Sequence, residues 1–478
     1  MTHFFAGFTP RFLAPRLMTR PGLLLLGSLL LSACTLGPDY QRPDTPTPTE
    51  FMSAGQWVVA TPGDALERGT WWQLFADPQL DKLEASIEIS NQNVAAAQAS
   101  YEQARALVAS QRAAIFPSVD LTAGANRGNS AATRTVDNKY QVGIGASWEP
   151  DVWGRLRRAT SGARAAAQAS AADLAAAKLS AQGELAINYF SLRQTDAQYQ
   201  LLKSTVETYQ RSQEIARNRY NAGVTTKSDV LQAETQLASA QADLLDVERD
   251  RAQYQNAIAV LVGKLPEDFT LAPMPEWQAT VPGIPLGVPS ELLQRRPDIA
   301  AAERRVASAN EQIGIAKAGY FPSLQLSASD GNTTSDSSNL LNSNINVWSV
   351  GASLAQTLFD AGATRARVNS AKAAHQEATA RYRQTVLAAF ADVENQLTAI
   401  RILSQQQVLR KQANEAADQV EQQAINRYRQ GQISYTDVVS AQTSALSARR
   451  AMVQALADSQ TAAVALIQAL GGGWQSNF

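Results

Sequence analysis

Two stretches of the chain, about 156–222 and about 363–430, keep a helical pattern without a single proline. At 1.5 Å per residue each predicts a helix of about 100 Å, too long to pack inside a compact domain of ordinary size. Apolar residues fall at heptad spacing within them: Leu185, Tyr189, Leu192 and Tyr199 in the first, Val386, Phe390, Val393, Leu397 and Ile400 in the second. Shorter return helices are predicted at about 226–262 and about 434–470, with seven-residue steps at Val230, Leu237 and Leu244. Such seams argue for coiled-coil contacts. The remaining faces are Ala, Gln, Ser and alternating charge, too polar for a solid core and suited to helices wetted on more than one side.

Elsewhere the period changes to two. Val119, Leu121, Ala123 and Ala125 alternate with polar residues, as do Val142, Ile144, Ala146 and Trp148, around a polar loop at Asn126–Lys139. Leu324, Leu326 and Ala328, then Trp348, Val350, Ala352 and Leu354, repeat the pattern around a Ser/Asn/Asp loop at 330–344. These are two β-hairpins, at about 117–150 and about 322–358, with strands of about ten residues, one apolar face and one polar face. Strands of that kind suit an outer-membrane barrel; a half-buried soluble sandwich is the alternative that alternation alone leaves open. Four strands cannot close a barrel, and an open edge in lipid leaves unpaired backbone groups, so a barrel requires several chains.

The chain is written twice. Arg219-Tyr220-Asn221-Ala222-Gly223, with Asp229-Val230 beyond it, recurs 208 positions later as Arg427-Tyr428-Arg429-Gln430-Gly431 with Asp437-Val438. Gly154 and Gly362 match at the same offset, and Phe116-Pro117-Ser118 matches Phe321-Pro322-Ser323. In each copy a Gly ends the long helix, and Thr226 or Ser434 stands three residues before an Asp, a capping-box-like start to the next. Helices about 79–90 and 91–115 open the first repeat (71–263), with Asp77-Pro78 as a start signal. A Pro-rich crossover (264–297) leads to the second repeat (298–471), and 472–478 form a tail.

The N-terminus changes the picture of where this happens. Arg16 and Arg20 precede an apolar run from Leu23 to Leu31, then Leu31-Ser32-Ala33-Cys34. The run is too short to span a bilayer and reads as a secretory signal over 1–33, with Met18 an equally good start. Its end resembles a bacterial lipobox in which Cys34, the one cysteine in the chain, becomes the lipidated first residue. Thr35 is not the Asp that marks inner-membrane retention, so an outer-membrane address follows. Residues 34–70 read as an extended tether.

Composition removes other functions. Of two histidines, His3 lies in the signal and His375 in a helical pattern, so no His/Cys cluster exists for a metal site and no base for Ser-His-Asp or Cys-His catalysis. No phosphate-binding glycine loop is present. With 42 basic and 43 acidic residues interleaved, there is no electrostatic footprint for nucleic acid. The reading is a non-enzyme without cofactor or metal.

The lipobox, Trp71-Trp72 with Phe75, Asp77-Pro78 and Leu80, Arg296-Pro297-Asp298-Ile299 with Ala302-Glu303, the two Phe-Pro-Ser segments and the doubled Arg-Tyr-x-x-Gly turn together resemble the TolC/OprM/NodT family of outer membrane efflux lipoproteins. The resemblance spans essentially the whole mature chain. It implies a mixed α and β membrane protein. In this homotrimer each chain gives four strands to a 12-stranded β-barrel, continued by a periplasmic α-helical barrel, with the Pro-rich crossover in a belt. It also implies partners: a periplasmic adaptor protein and an inner-membrane transporter, of RND type. Asp229 and Asp437 resemble the family's carboxylates near the periplasmic mouth, which become rings under threefold symmetry and favour cations. Tyr428 matches a tyrosine that helps latch neighbouring hairpins in the family. The latch arginine corresponds to Ile433 and the second acid to Ser440, so a gate here is held differently. Read as local structure alone, both Asp residues sit in a helix's first turn, where a carboxylate is worth about 0.3–1 kcal/mol. Arg219, Tyr220, Arg427 and Tyr428 read first as hairpin-tip packing, with adaptor contact as the alternative, and Gly223 and Gly431 as structural.

The function implied is a passive exit duct for drugs or small toxic molecules. The same duct could serve type I protein secretion or metal-ion export, although the lack of Met/His clusters weighs against soft-metal handling. A lipid-anchored coiled-coil protein without a pore is the alternative from another class.

Overall fold

The computed structural model describes residues 36–45, 70–129, 136–277, 280–283, 296–340 and 346–472. The signal sequence, Cys34, most of the tether, the hairpin tips at 130–135 and 341–345, part of the crossover and the final residues lie outside them. The elements are α1 (Pro78–Ser90), α2 (Gln92–Ala113), β1 (Ser118–Asn129), β2 (Val136–Trp148), α3 (Arg155–Asn221), α4 (Lys227–Leu261), α5 (Pro297–Ala318), β3 (Ser323–Thr334), β4 (Asn346–Ala355), α6 (Ala363–Arg429) and α7 (Tyr435–Ala469). They divide between a sheet unit and a helical unit.

In the sheet unit the four strands run antiparallel in the order β1-β2-β3-β4. Register decides what the sheet presents. Leu121 pairs with Ile144, Trp148 with Leu326, and Ala328 with Val350, so the alternating apolar residues of all four strands fall on one face. Ser147, Ser327 and Gly351 line the opposite face, where Gly331 faces Gly143 so closely that an added Cβ would sit 2.5 Å from the Gly143 Cα. Among the described residues nothing covers the apolar face: Leu121 is 75% and Val350 76% exposed. A sandwich core would bury these residues, so the sandwich alternative fails within one chain.

Both hairpins extend further than alternation predicts. β1 runs to Asn129 and β2 starts at Val136, pairing Arg127 with Asn138 through residues expected to be loop; β3 likewise continues to Thr334 against Tyr140. Backbone pairing carries the strand on after the apolar side chains end, because the ladder itself satisfies the N–H and C=O groups. The Phe-Pro-Ser motif has a partner: the Trp153 indole donates to the Pro322 carbonyl at 2.7 Å and stacks on Phe321 at 4.8 Å.

In the helical unit α3 and α6 are each 67 residues long, and α4 and α7 each 35. Among the described residues no helix is long and apolar enough to cross a membrane. α1 begins at Pro78 because the Asp77 carboxylate accepts from the Gln79 and Leu80 amides, and Tyr189 on α3 donates to the same carboxylate at 2.6 Å. The main core gathers Trp71, Trp72, Phe75, Leu80 and Ile87 against Leu185, Tyr189 and Leu192 of α3, Val393 and Leu397 of α6 and Val464, Leu466 and Ile467 of α7. Of the heptad residues, Leu185, Tyr189, Leu192, Val393 and Leu397 lie in it and Phe390 and Ile400 pack against it, whereas Val386 and Val230 belong to separate smaller clusters.

Beside that core lies a buried ionic knot that periodicity does not reveal. Asp196 accepts from Arg193 at 2.9 Å, from Arg251 at 2.7 Å and from the Met274 amide at 3.0 Å. The two arginines also donate to the Ala272 and Leu271 carbonyls. The knot ties the start of the crossover to α3 and α4.

Candidate functional site: the hairpin tips

Each long helix ends at its Gly for a geometrical reason. Gly223 (φ 72°) and Gly431 (φ 74°) adopt the left-handed conformation that only Gly takes without strain. Gly223 N–H bonds to the Tyr220 carbonyl and Val224 N–H to that of Arg219; Gly431 and Gln432 repeat this on Tyr428 and Arg427. This paired bonding caps the orphan carbonyls at a helix C-terminus.

The next helix starts on the predicted cap. Ser434 and Asp437 form a reciprocal capping box: Ser434 Oγ accepts from the Asp437 amide while the Asp437 carboxylate accepts from the Ser434 amide at 3.0 Å. In the first copy Thr226 caps Asp229 N–H, but the Asp229 carboxylate accepts hydrogen bonds from the Thr225 and Thr226 hydroxyls instead. Only the Asp437 carboxylate thus completes a cap; Asp437 is exposed and Asp229 half-buried. Ser440 bonds to its own helix at the Thr436 carbonyl.

The equivalent tip residues diverge in role. Tyr428 is 5% exposed, whereas Tyr220 is 43% exposed. Tyr428 packs edge-to-face on Tyr435 with centroids 5.3 Å apart, inside a small cluster with Ala216, Val230, Ala233 and Val438. Burial pushes both phenols above their ordinary pKa. Ile433 packs against the same cluster.

Arg219 crosses from the first hairpin to the second. Its Nη1 donates to the Tyr428 carbonyl at 3.2 Å and the Arg429 carbonyl at 3.3 Å, and its guanidinium lies 4.9 Å from the Tyr428 ring centroid. It is also the nearest group to Gly431. Arg427, its repeat equivalent, is exposed. One cation therefore satisfies the C-terminal carbonyls of the partner long helix, where the helix dipole is negative. Thr436 adds a bond to Gln232 at 3.3 Å. Asp229, Tyr428 and Arg219 are brought together, whereas Tyr220 and Arg427 stand outside the cluster. Tyr435 and Thr225 belong to it without having been foreseen; their signal is the departure from the repeat, since Gly431-Gln432-Ile433-Ser434-Tyr435 carries an aromatic where the first copy has Lys227.

The model of the outer membrane efflux protein family matches residues 85–264 and 288–472. The chain belongs to the outer membrane efflux protein family. Its relatives include the solvent efflux pump outer membrane protein SrpC of Pseudomonas putida, 32% identical across 95% of this chain and 98% of that protein. The outer-membrane channel OprN shares 33% identity and a TM-score of 0.85 over 93% of this chain and 100% of that one. The open state of the MtrE outer membrane channel of Neisseria gonorrhoeae shares 30% identity and a TM-score of 0.82 over 92% and 98%. Family membership makes the four strands and the doubled helical hairpins those of an outer membrane efflux channel extending into the periplasm.

Proposed function

We propose that the chain is lipidated at Cys34 and assembles as a homotrimer into a passive exit duct, closed at the hairpin tips. Drugs or other small toxic molecules reach it from an inner-membrane transporter of RND type through a periplasmic adaptor. The observation that carries this reading is the sheet: an uncovered apolar face on one side, a polar face on the other, and two strands, β1 and β4, each paired on one side only. A free edge in lipid leaves backbone groups unsatisfied, and copies joined edge to edge remove it. Three chains of four strands give a 12-stranded barrel with the apolar face to lipid and the Ser/Gly face to a water-filled lumen.

The tips supply the gate. Threefold symmetry turns Asp229 and Asp437 into rings of acid at the periplasmic mouth, and Arg219 on Tyr428 holds each chain's two hairpins together in place of the absent latch arginine. Opening then requires the staple to give way. A small cluster bounded by polar helix faces is a suitable place for that, since few apolar contacts have to break. The duct transports without catalysis. The solvent cargo in the name of SrpC favours small apolar molecules as cargo here too.

Two observations test this. Protein purified from outer membranes is expected to run as a trimer with an acylated Cys34, and a deletion strain is expected to accumulate a fluorescent amphipathic dye that the parent expels. A monomer overturns the assembly. A deletion strain that expels the dye normally but stops exporting a protein or a metal ion overturns the cargo.

A further inference from the structure

Among the described residues Glu84 is the only acid with both carboxylate oxygens buried and without a hydrogen-bond partner. Its position follows from helix geometry. α1 buries Leu80, Leu83 and Ile87 on one stripe, and Glu84, four residues after Leu80 and three before Ile87, falls in the middle of it. The residue is 0% exposed, in the helix that contributes Leu80 and Ile87 to the main core beside Trp71 and Trp72.

An ionised carboxylate at such a place needs a cation or several donors, and neither is present. Arg193 and Arg251 on the neighbouring helices are both spent on Asp196, Lys264 lies over the Phe269 ring, and Lys82 is on the exposed side of α1. The groups that face Glu84 make ionisation worse. Asp81, one turn before it, has its own Oδ1 buried without a partner, and Asp77 beyond that is bonded to Tyr189 from α3. Burial first, and the charge of Asp81 second, push the Glu84 carboxyl up to about 9.

We propose that Glu84 is carried in the folded protein as the neutral carboxylic acid, so that the seating of α1 on the helical core is a proton-linked equilibrium, tightened by acid and loosened by alkali. The folded carboxyl binds its proton more tightly than an unfolded one, whose ordinary value is 4.5. Its contribution is therefore full below pH 4.5, falls through the interval between 4.5 and about 9, and is gone above that. Across that window one proton is released on opening, so the opening constant of α1 rises about tenfold per pH unit.

The test uses the full-length lipidated protein in detergent and reads two quantities. Infrared difference spectra between neutral and strongly alkaline pH are expected to show loss of a protonated-carboxyl stretch in the wild type and none in Glu84→Gln. Hydrogen exchange of the α1 amides, corrected for intrinsic rates, is expected to give an opening constant that climbs about tenfold per pH unit in the wild type. It should be flat in Glu84→Gln and in Glu84→Leu, the latter completing the apolar stripe. A carboxyl band that survives in Glu84→Gln, or the same pH slope in all three proteins, overturns the proposal.

Discussion

Replacing Arg219 by Ala removes the side chain that ties the tip of the first hairpin to the tip of the second through the Tyr428 and Arg429 carbonyls. Two hydrogen bonds from a charged donor would be worth about 1.5–3 kcal/mol each if fully buried. Arg219 is only partly buried, so water competes and the pair is worth roughly half of that. Stacking on Tyr428 at 4.9 Å adds about 0.5–1 kcal/mol. Against this stands Nε, buried without a partner, whose desolvation the folded tip already bears. The net is about 2 kcal/mol per chain, a factor of about 30 in the equilibrium between tied and untied tips. Cells producing Arg219→Ala should therefore admit a bulky, membrane-impermeant antibiotic that wild-type cells exclude, and the amides of 216–233 and 425–438 should lose protection from hydrogen exchange. Arg219→Lys, which keeps the charge but not the planar fork, should fall between them. Unchanged permeability together with unchanged protection at the tips would refute the staple.

Tyr435→Ala, at a position 1% exposed, should cost about 3–5 kcal/mol locally and loosen both hairpins, read as faster proteolysis at the tips. Asp196→Ala leaves Arg193, whose side chain is 2% exposed, with an uncompensated charge; a loss of about 3–5 kcal/mol is expected in thermal unfolding, centred on the crossover. Gly431→Ala places a Cβ at φ 74° with the Arg219 Nη2 at 3.8 Å, an ordinary contact, so a loss of about 1 kcal/mol by backbone strain is expected in chemical denaturation, without a change in trimer formation.

Periodicity made the architecture legible because it reports burial directly. Heptad residues such as Leu185, Tyr189, Val393 and Leu397 are at the core, and the alternating strand residues share one face. The doubled turn located the tips because a helix that must stop needs a left-handed residue, and Gly advertises it. What stayed hidden depends on three-dimensional partners. Strand ends past Asn126 carry no apolar pattern, only paired backbone. Tyr220 and Tyr428 look alike in the repeat, yet one is exposed and the other buried, because only the second faces Tyr435 and Arg219. Glu84 reads as an ordinary surface acid until the register of α1 is known, and Asp196 as one charge among many until both arginines converge on it.

The proposed duct is closed, with a periplasmic mouth lined by the tip acids. Single-channel conductance of the purified, lipidated protein in planar bilayers tests it most directly, comparing wild type with an Asp229→Ala, Asp437→Ala double variant. A small, cation-selective wild-type conductance that grows or loses its selectivity in the variant is the predicted result. A wild-type pore of the same size and selectivity as the variant would reduce both carboxylates to helix caps and contradict the acidic gate.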